Sequence, residues 1–348
     1  MPTTPSPHPP LSVLDLAIVN AGSTSAVALA GTTRLARSAE RLGFHRFWVA
    51  EHHNMASVAS TTPPVLMAHL AAVTERIRVG SGGIMLPNHP PLVVAEQVAA
   101  LEALHPGRID LGIGRAPGTD QTTAAALRRS AEGLGAEDFP KDLLDLMGLL
   151  GDPRAEIRGD GGLWERFRAT PAAESSPQIL LLGSSGYSAR LAGLLGLPFV
   201  FAHHFDMGGT LEALDLYRTS FQPSVVQQRP HVIVTVNILV AETDDDAERE
   251  ALPGRIMTYG IRTGRFEPML DPDAAARHPH AGAARNLVTN RVVGTPLAVQ
   301  ERLDDLVAET AADELMVSTV AHGSDVRVHS LELLAATWTA DRATSVRP

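Results

Sequence analysis

The chain has 348 residues, 44% of them hydrophobic, and a formal net charge of -10, so it can bury one large core or two ordinary ones. With no basic tail and no Lys/Arg cluster, its average surface repels a phosphate backbone, and nucleic acid is not an expected partner. The absence of cysteine excludes disulfides, thiolate nucleophiles, iron–sulfur clusters and Cys-based zinc sites.

The first ten residues, MPTTPSPHPP, carry neither the basic n-region nor the apolar h-region of a secretory signal. Residues 1–10 are expected to be a disordered lead, and the protein to be cytoplasmic. No apolar run approaches the roughly 20 residues of a membrane span. Leu11 to Val19 reads as a first strand and Ser25 to Leu42 as a helix closed by Gly43. The strand HRFWVA, a helix from Thr61 to Arg76, the strand IRVGSGGIML and a helix from Pro91 to Leu104 follow. Next come the strand RIDLGI and a long helical region from Gln121 to Leu150, which contains the single lysine, Lys141, on a solvated face. Schiff-base chemistry and a Walker lysine are therefore not expected. The strand QILLLG, a helix from Tyr187 to Leu195, the strand PFVFA and a helix from Thr210 to Phe221 lead to the strand HVIVTVNILVA. Helices beginning near Asp244 and from Pro296 to Thr310, the strand ELMVST and a helix near Ser330 to Thr339 complete the chain.

Eight buried strand-like runs interleaved with helices predict an α/β fold, a (β/α)8 TIM barrel with insertions, as one domain over residues 11–348. Two segments interrupt the repeat: Asp152 to Ser176 lacks periodicity, and Tyr259 to Asn290 is a long Pro- and Arg-containing stretch. The second is a candidate lid over the barrel mouth, since loops of this length are uncommon without a function.

The chemistry gathers at strand ends. WVAEHHN, from Trp48 to Asn54, places Glu51, His52 and His53 at the carboxyl end of a core strand, where such a barrel keeps its active site. GRIDLGIGRAPG puts Gly114, Arg115 and Gly118 just past another strand; glycine admits a flat ligand, and the guanidinium is a planar fork suited to phosphate. LLLGSSGYSARLAGLLGLP sets Ser184, Ser185, Tyr187 and Ser188 around the start of a helix, whose free N–H groups and dipole favour an anion. VGSGGIMLPNHPP adds the pair Gly82 and Gly83. Together these features point to a phosphorylated planar cofactor beside proton-transfer residues. A metal centre on His52-His53 and His203-His204 fits less well, because adjacent residues of a strand face opposite ways and no carboxylates stand at a recognisable spacing.

In order and spacing, WVAEHHN, VGSGGIMLPNHPP, GRIDLGIGRAPGTD and LLLGSSGYSARLAGLLGLP resemble the bacterial luciferase-like, flavin-dependent monooxygenases, single-component branch, over nearly the whole chain. The resemblance implies an α/β barrel with FMN at the carboxyl ends of the strands. It implies that His52 is the active-site histidine, Arg115 the flavin-phosphate arginine, and Ser184 to Ser188 the phosphate loop. A non-prolyl cis peptide would fall at Gly82-Gly83. Two departures, Gly114 at the reactive-cysteine position and Gly183 at the acidic position of the loop, speak against light emission and a long-chain aldehyde substrate.

The expected protein is an oxidoreductase that uses reduced FMN and O2 to oxidise a small organic substrate through a peroxyflavin, with His52 and Glu51 as catalytic residues. Gly82, Gly83, Gly114, Arg115, Ser184, Ser185, Tyr187 and Ser188 are expected to bind the cofactor, and no metal is expected. No G-x-G-x-x-G element follows a strand, so a separate flavin reductase is expected to supply the reduced FMN. A homodimer is expected. The alternatives are a deazaflavin-dependent dehydrogenase of the same superfamily and a non-catalytic flavin-binding protein.

Overall fold

Strands and helices alternate from residue 11 onward. The computed structural model describes residues 8–116, 118–128, 137–158, 161–205, 207–265 and 267–344. Among these, ten strands occur: β1 (Leu11–Asp15), β2 (Arg46–Val49), β3 (Arg78–Ser81), β4 (Ile84–Met85), β5 (Ile109–Gly114), β6 (Gln178–Gly183), β7 (Phe199–Phe201), β8 (Val232–Val240), β9 (Val292–Gly294) and β10 (Glu314–Ser318). The helices are α1 (Ser25–Arg41), α2 (Pro63–Ala72), α3 (Pro91–Leu104), α4 (Gln121–Arg128), α5 (Phe139–Leu149), α6 (Gly186–Leu194), α7 (Thr210–Ser220), α8 (Asp244–Thr263), α9 (Pro272–Arg277), α10 (Ala281–Arg285), α11 (Pro296–Thr310) and α12 (Ser324–Thr344). No described helix is long and apolar enough to cross a membrane.

Eight of the strands close a parallel ring in the order β1-β2-β3-β5-β6-β7-β8-β10, with β10 pairing both β8 and β1. This is the expected (β/α)8 barrel. β1, β2 and β5 are buried at every position, as strands covered on both faces must be. Leu14, Trp48, Ala50, Leu180, Val200, Ile233 and Met316 fill the inside of the ring, so the barrel is a packed core and not a pore. Trp48 is its plug, and its indole N–H donates to Asp110 Oδ2 at 2.9 Å.

At the amino ends of the strands the barrel is tied by charge. Arg46 donates to both oxygens of Glu314 (2.9 and 3.1 Å) and to Asp110 (2.9 Å), and Ser12 donates to Glu314 at 2.5 Å. All four residues are buried, and a buried carboxylate is tolerated only when it is paired and hydrogen-bonded. The charged groups at this end hold structure and leave the opposite end for chemistry.

Several expectations need correction. IRVGSGGIML is two strands, β3 and β4, broken at Gly82-Gly83, which is the expected cis peptide. The long helical region is divided into α4 and α5, with residues 129–136 outside the described ones. The candidate lid, Tyr259 to Asn290, is not a bare loop: it carries the end of α8, then α9 and α10, and Met269 exchanges backbone hydrogen bonds with Val19 and Ala21 (3.0 and 2.7 Å). Residues 1–7 of the expected lead lie outside the described residues, whereas His8 is buried and stacked on Trp338 at 4.3 Å.

Candidate active site

β2 delivers Glu51, His52 and His53 to the carboxyl end of the barrel. Glu51 is wholly buried. Its Oε1 receives hydrogen bonds from His53 Nε2 (2.9 Å), His89 Nε2 (2.9 Å) and Asn88 Nδ2 (3.0 Å), and its Oε2 from the Met85 N–H (3.1 Å). Burial works to raise its pKa, but the bonds from His89, His53 and Asn88 outweigh it and hold the carboxyl below its usual range. An ionised carboxylate only accepts, so both imidazoles present Nε2–H to it.

Glu51 therefore does not orient His52, as the sequence alone allowed; its ring partners are His53 and His89. Along an extended segment successive side chains point to opposite sides, which puts Glu51 and His53 together and His52 across from them. The His52 amide donates to Ser60 O at 3.0 Å, and its ring Nδ1 is buried with no hydrogen-bond partner among the described residues. Burial pushes the His52 pKa down, more than the Glu51 charge raises it, so the ring is neutral near pH 7.

β7 ends in a 3-10 turn, His203–Phe205, that brings two more imidazoles to the same barrel end. His203 Nδ1 lies 2.9 Å from Thr210 Oγ1, and His204 Nδ1 contacts Thr235 Oγ1 on β8. Burial, aided by the His52, His203 and Arg291 charges, pushes the His204 pKa down to about 3. Sequence reasoning weighed His204 only as a metal ligand. Its position right after a buried strand, matching that of Glu51 to His53, is the signal that would have placed it in the mouth. Among the described residues no group of three or more His, Cys, Asp or Glu is placed to hold a metal.

The residues expected to bind an anion lie at and beside the start of α6. Ser185 occupies its N-cap position with no side-chain cap bond, which leaves the first N–H groups of the helix without that partner. Arg115, just past β5, lays its guanidinium 4.2 Å over the Tyr187 ring and so joins two strand ends. Ser188 behaves differently. It is buried against Gly183, where a Cβ would come within 2.3 Å of the Ser188 Cβ, whereas Ser185 is exposed and the Ser184 hydroxyl makes a long contact of 3.9 Å to Met207 Sδ.

The other glycines have neighbours that explain them. A Cβ on Gly82 would meet Leu14 at 2.5 Å and Trp48 at 3.3 Å; on Gly83, the Gly112 carbonyl at 2.9 Å; on Gly114, Met85 Sδ at 2.8 Å. The room they leave is taken by the protein itself, so access for a flat ligand is not needed to account for them.

The family model described as luciferase-like monooxygenase matches residues 10–314. YvbT of Bacillus subtilis, described as uncharacterized, is 45% identical over 332 residues, covering 94% of this chain and 96% of its own. A protein of Escherichia coli K12 named luciferase-like monooxygenase is 40% identical over 328 residues, covering 92% and 95%. The crystal structure of apo-MsnO8 matches with a TM-score of 0.86 at 37% identity, over 95% of this chain and 98% of that one.

Proposed function

The chain belongs to the luciferase-like monooxygenase family and is an oxidoreductase; from that premise we propose that it uses reduced FMN and O2 to oxidise a small organic substrate at the barrel mouth. The observation that carries the reading is the Arg115–Tyr187 stack beside the open N-terminus of α6, at the barrel end where His52 keeps a buried Nδ1 without a partner. A phosphorylated planar group fits this set: the guanidinium and helix N–H groups suit its phosphate, and an unpaired imidazole nitrogen suits a polar ring edge.

Reduced FMN, when bound, supplies the electrons that activate oxygen. Arg115, the α6 amides and the Ser184 and Ser185 hydroxyls would hold its phosphate. His52, neutral and poorly hydrated, holds or moves a proton at its ring nitrogen. Glu51 acts through others: by gripping His53, His89, Asn88 and the Met85 amide it fixes the wall on which His52 stands. The segment 259–290, anchored through Met269 to the loop after β1, keeps water from that side of the mouth.

Two proteins that share only the fold bind different cofactors: the oxygenating constituent of 3,6-diketocamphane monooxygenase was solved in complex with FMN, and a secondary alcohol dehydrogenase is F420-dependent. Deazaflavin-dependent hydride transfer is thus the second reading, and FMN is preferred because relatives at higher identity carry the monooxygenase name. A separate reductase supplies the reduced flavin. A homodimer is part of the proposal as well, since α2 and α3 leave Val65 64%, Val93 44% and Leu104 69% exposed, a surface that a second copy would cover.

Incubation of the pure protein with photoreduced FMN, and separately with reduced deazaflavin, tests the choice. Oxygen uptake and bound-flavin spectra with FMN are expected. Hydride transfer from the deazaflavin without oxygen uptake would replace this reading with the second.

A further inference from the structure

The contacts of His204 Nδ1 favour one tautomer. Thr235 Oγ1 donates its hydrogen to Phe201 O at 3.1 Å, and a hydroxyl has only one to give. Both contacts are hydrogen bonds at once only when the one between Thr235 Oγ1 and His204 Nδ1 is made by the ring's own Nδ1–H. That leaves Nε2 of the neutral ring with a lone pair, and it has no hydrogen-bond partner among the described residues.

The surroundings keep the ring neutral. Burial acts most strongly, and the charged or titratable groups that reach it are His52 from the loop after β2, His203 beside it and Arg291 ahead of β9. All three disfavour a proton on His204. In a ring of eight strands β2 and β7 stand four places apart, so the segments that carry His52 and His204 lie on opposite walls of this barrel end. Past the ends of β1 and β10 lies an apolar cluster in which Ile18, Met269 and Val320 are buried, with Leu16 and Met257 packed against them.

We propose that His204 Nε2 is a permanent hydrogen-bond acceptor that selects a largely apolar substrate carrying one O–H, N–H or S–H donor. The inference deepens the oxygenase reading and rests on it for the identity of the reaction. A ring this reluctant to protonate does not take a whole proton; it accepts a hydrogen bond and orients the donor. An anion is repelled by the lone pair, and a substrate without a donor leaves it unsatisfied.

The test is 15N NMR of histidine-labelled apo protein, with the His204 signals identified by their loss in His204→Gln. The expected result is the Nδ1–H tautomer, unchanged from about pH 8 to about pH 4, since the pKa is about 3. Phenol and toluene then serve as a probe pair with and without a donor. Phenol should shift the Nε2 signal and bind roughly 3- to 10-fold better than toluene, the worth of one neutral hydrogen bond, and His204→Phe should abolish the preference. Thr235→Val should release the tautomer lock. An Nε2–H tautomer, titration near the usual histidine value, or no preference for phenol in wild type would overturn the proposal. A parallel anaerobic titration with reduced FMN separates the two ideas: failure to bind flavin removes the oxygenase reading and leaves the tautomer result standing.

Discussion

Glu51 and His89 are joined by a 2.9 Å hydrogen bond from Nε2 to Oε1, which ties the end of β2 to the segment between β4 and α3. With His53 bound to the same oxygen, the buried carboxylate is a strut beneath the mouth and is not one of the groups that face it. His52, one residue along, takes no part in this network, and in the proposed function it is the group that faces the ligand.

The strut has a pH signature. Because the folded-state pKa of Glu51 is depressed, its contribution to stability is fully present above the unfolded value, about 4.3, and is lost as pH falls through the folded value. Glu51→Gln should be less stable at neutral pH by about 1–3 kcal/mol, the cost of leaving buried polar groups unsatisfied. It should also lose less stability than wild type on acidification. Denaturant unfolding of both proteins at neutral pH and near pH 4 checks this, and parallel losses would remove Glu51 as a titrating strut.

Arg46 is the corresponding residue at the other end of the barrel. Arg46→Met removes the shared guanidinium from two buried carboxylates, leaving Asp110 with Arg78 and Trp48 and Glu314 with Ser12, and is expected to cost about 3 kcal/mol, the low end for breaking a buried ion pair. Flavin affinity per folded molecule should not change, because the network lies at the amino ends of the strands. Thermal unfolding and an anaerobic flavin titration measure the two effects. A stable variant would show that the carboxylates find other partners.

His52→Ala should bind reduced FMN within about tenfold of wild type, since it removes no phosphate contact and at most one neutral hydrogen bond to the ring edge. The rate at which oxygen reoxidises the bound reduced flavin should change by roughly 10²-fold, the lower end of what a general acid or base contributes. His53→Ala should instead lower stability, through Glu51. Stopped-flow absorbance with a hydrogen peroxide assay on both variants distinguishes the roles. If only His53→Ala alters reoxidation, the proton-handling residue is the neighbour.

The barrel was legible because each strand of a closed parallel sheet is a continuous apolar run, and eight such runs stand out in the sequence. β9 was not, since Val292–Gly294 is too short to show a pattern. α9 and α10, six and five residues long, likewise complete too few turns to show helical spacing, so their segment reads as loop. Strand-end residues such as His52, Arg115 and Tyr187 could be named because position after a buried strand is itself a signal. Their partners could not: Glu51–His89 and His204–Thr235 span 38 and 31 residues and exist only once the barrel closes. The protein neighbours of the glycines were not legible either, because only the folded chain shows Leu14, Trp48 and Met85 beside them.

The most direct test compares FMN with riboflavin, which lacks the phosphate, in anaerobic titrations of wild type and Arg115→Ala. Arg115 lies over Tyr187 at the open end of α6, and a charge-assisted hydrogen bond to phosphate is worth about 1.5–3 kcal/mol, or roughly 10- to 150-fold in affinity. The predicted result is that reduced FMN loses affinity by this factor in the variant while reduced riboflavin binds both proteins alike. Equal losses for the two flavins, or none for either, would contradict a flavin phosphate held between Arg115 and α6.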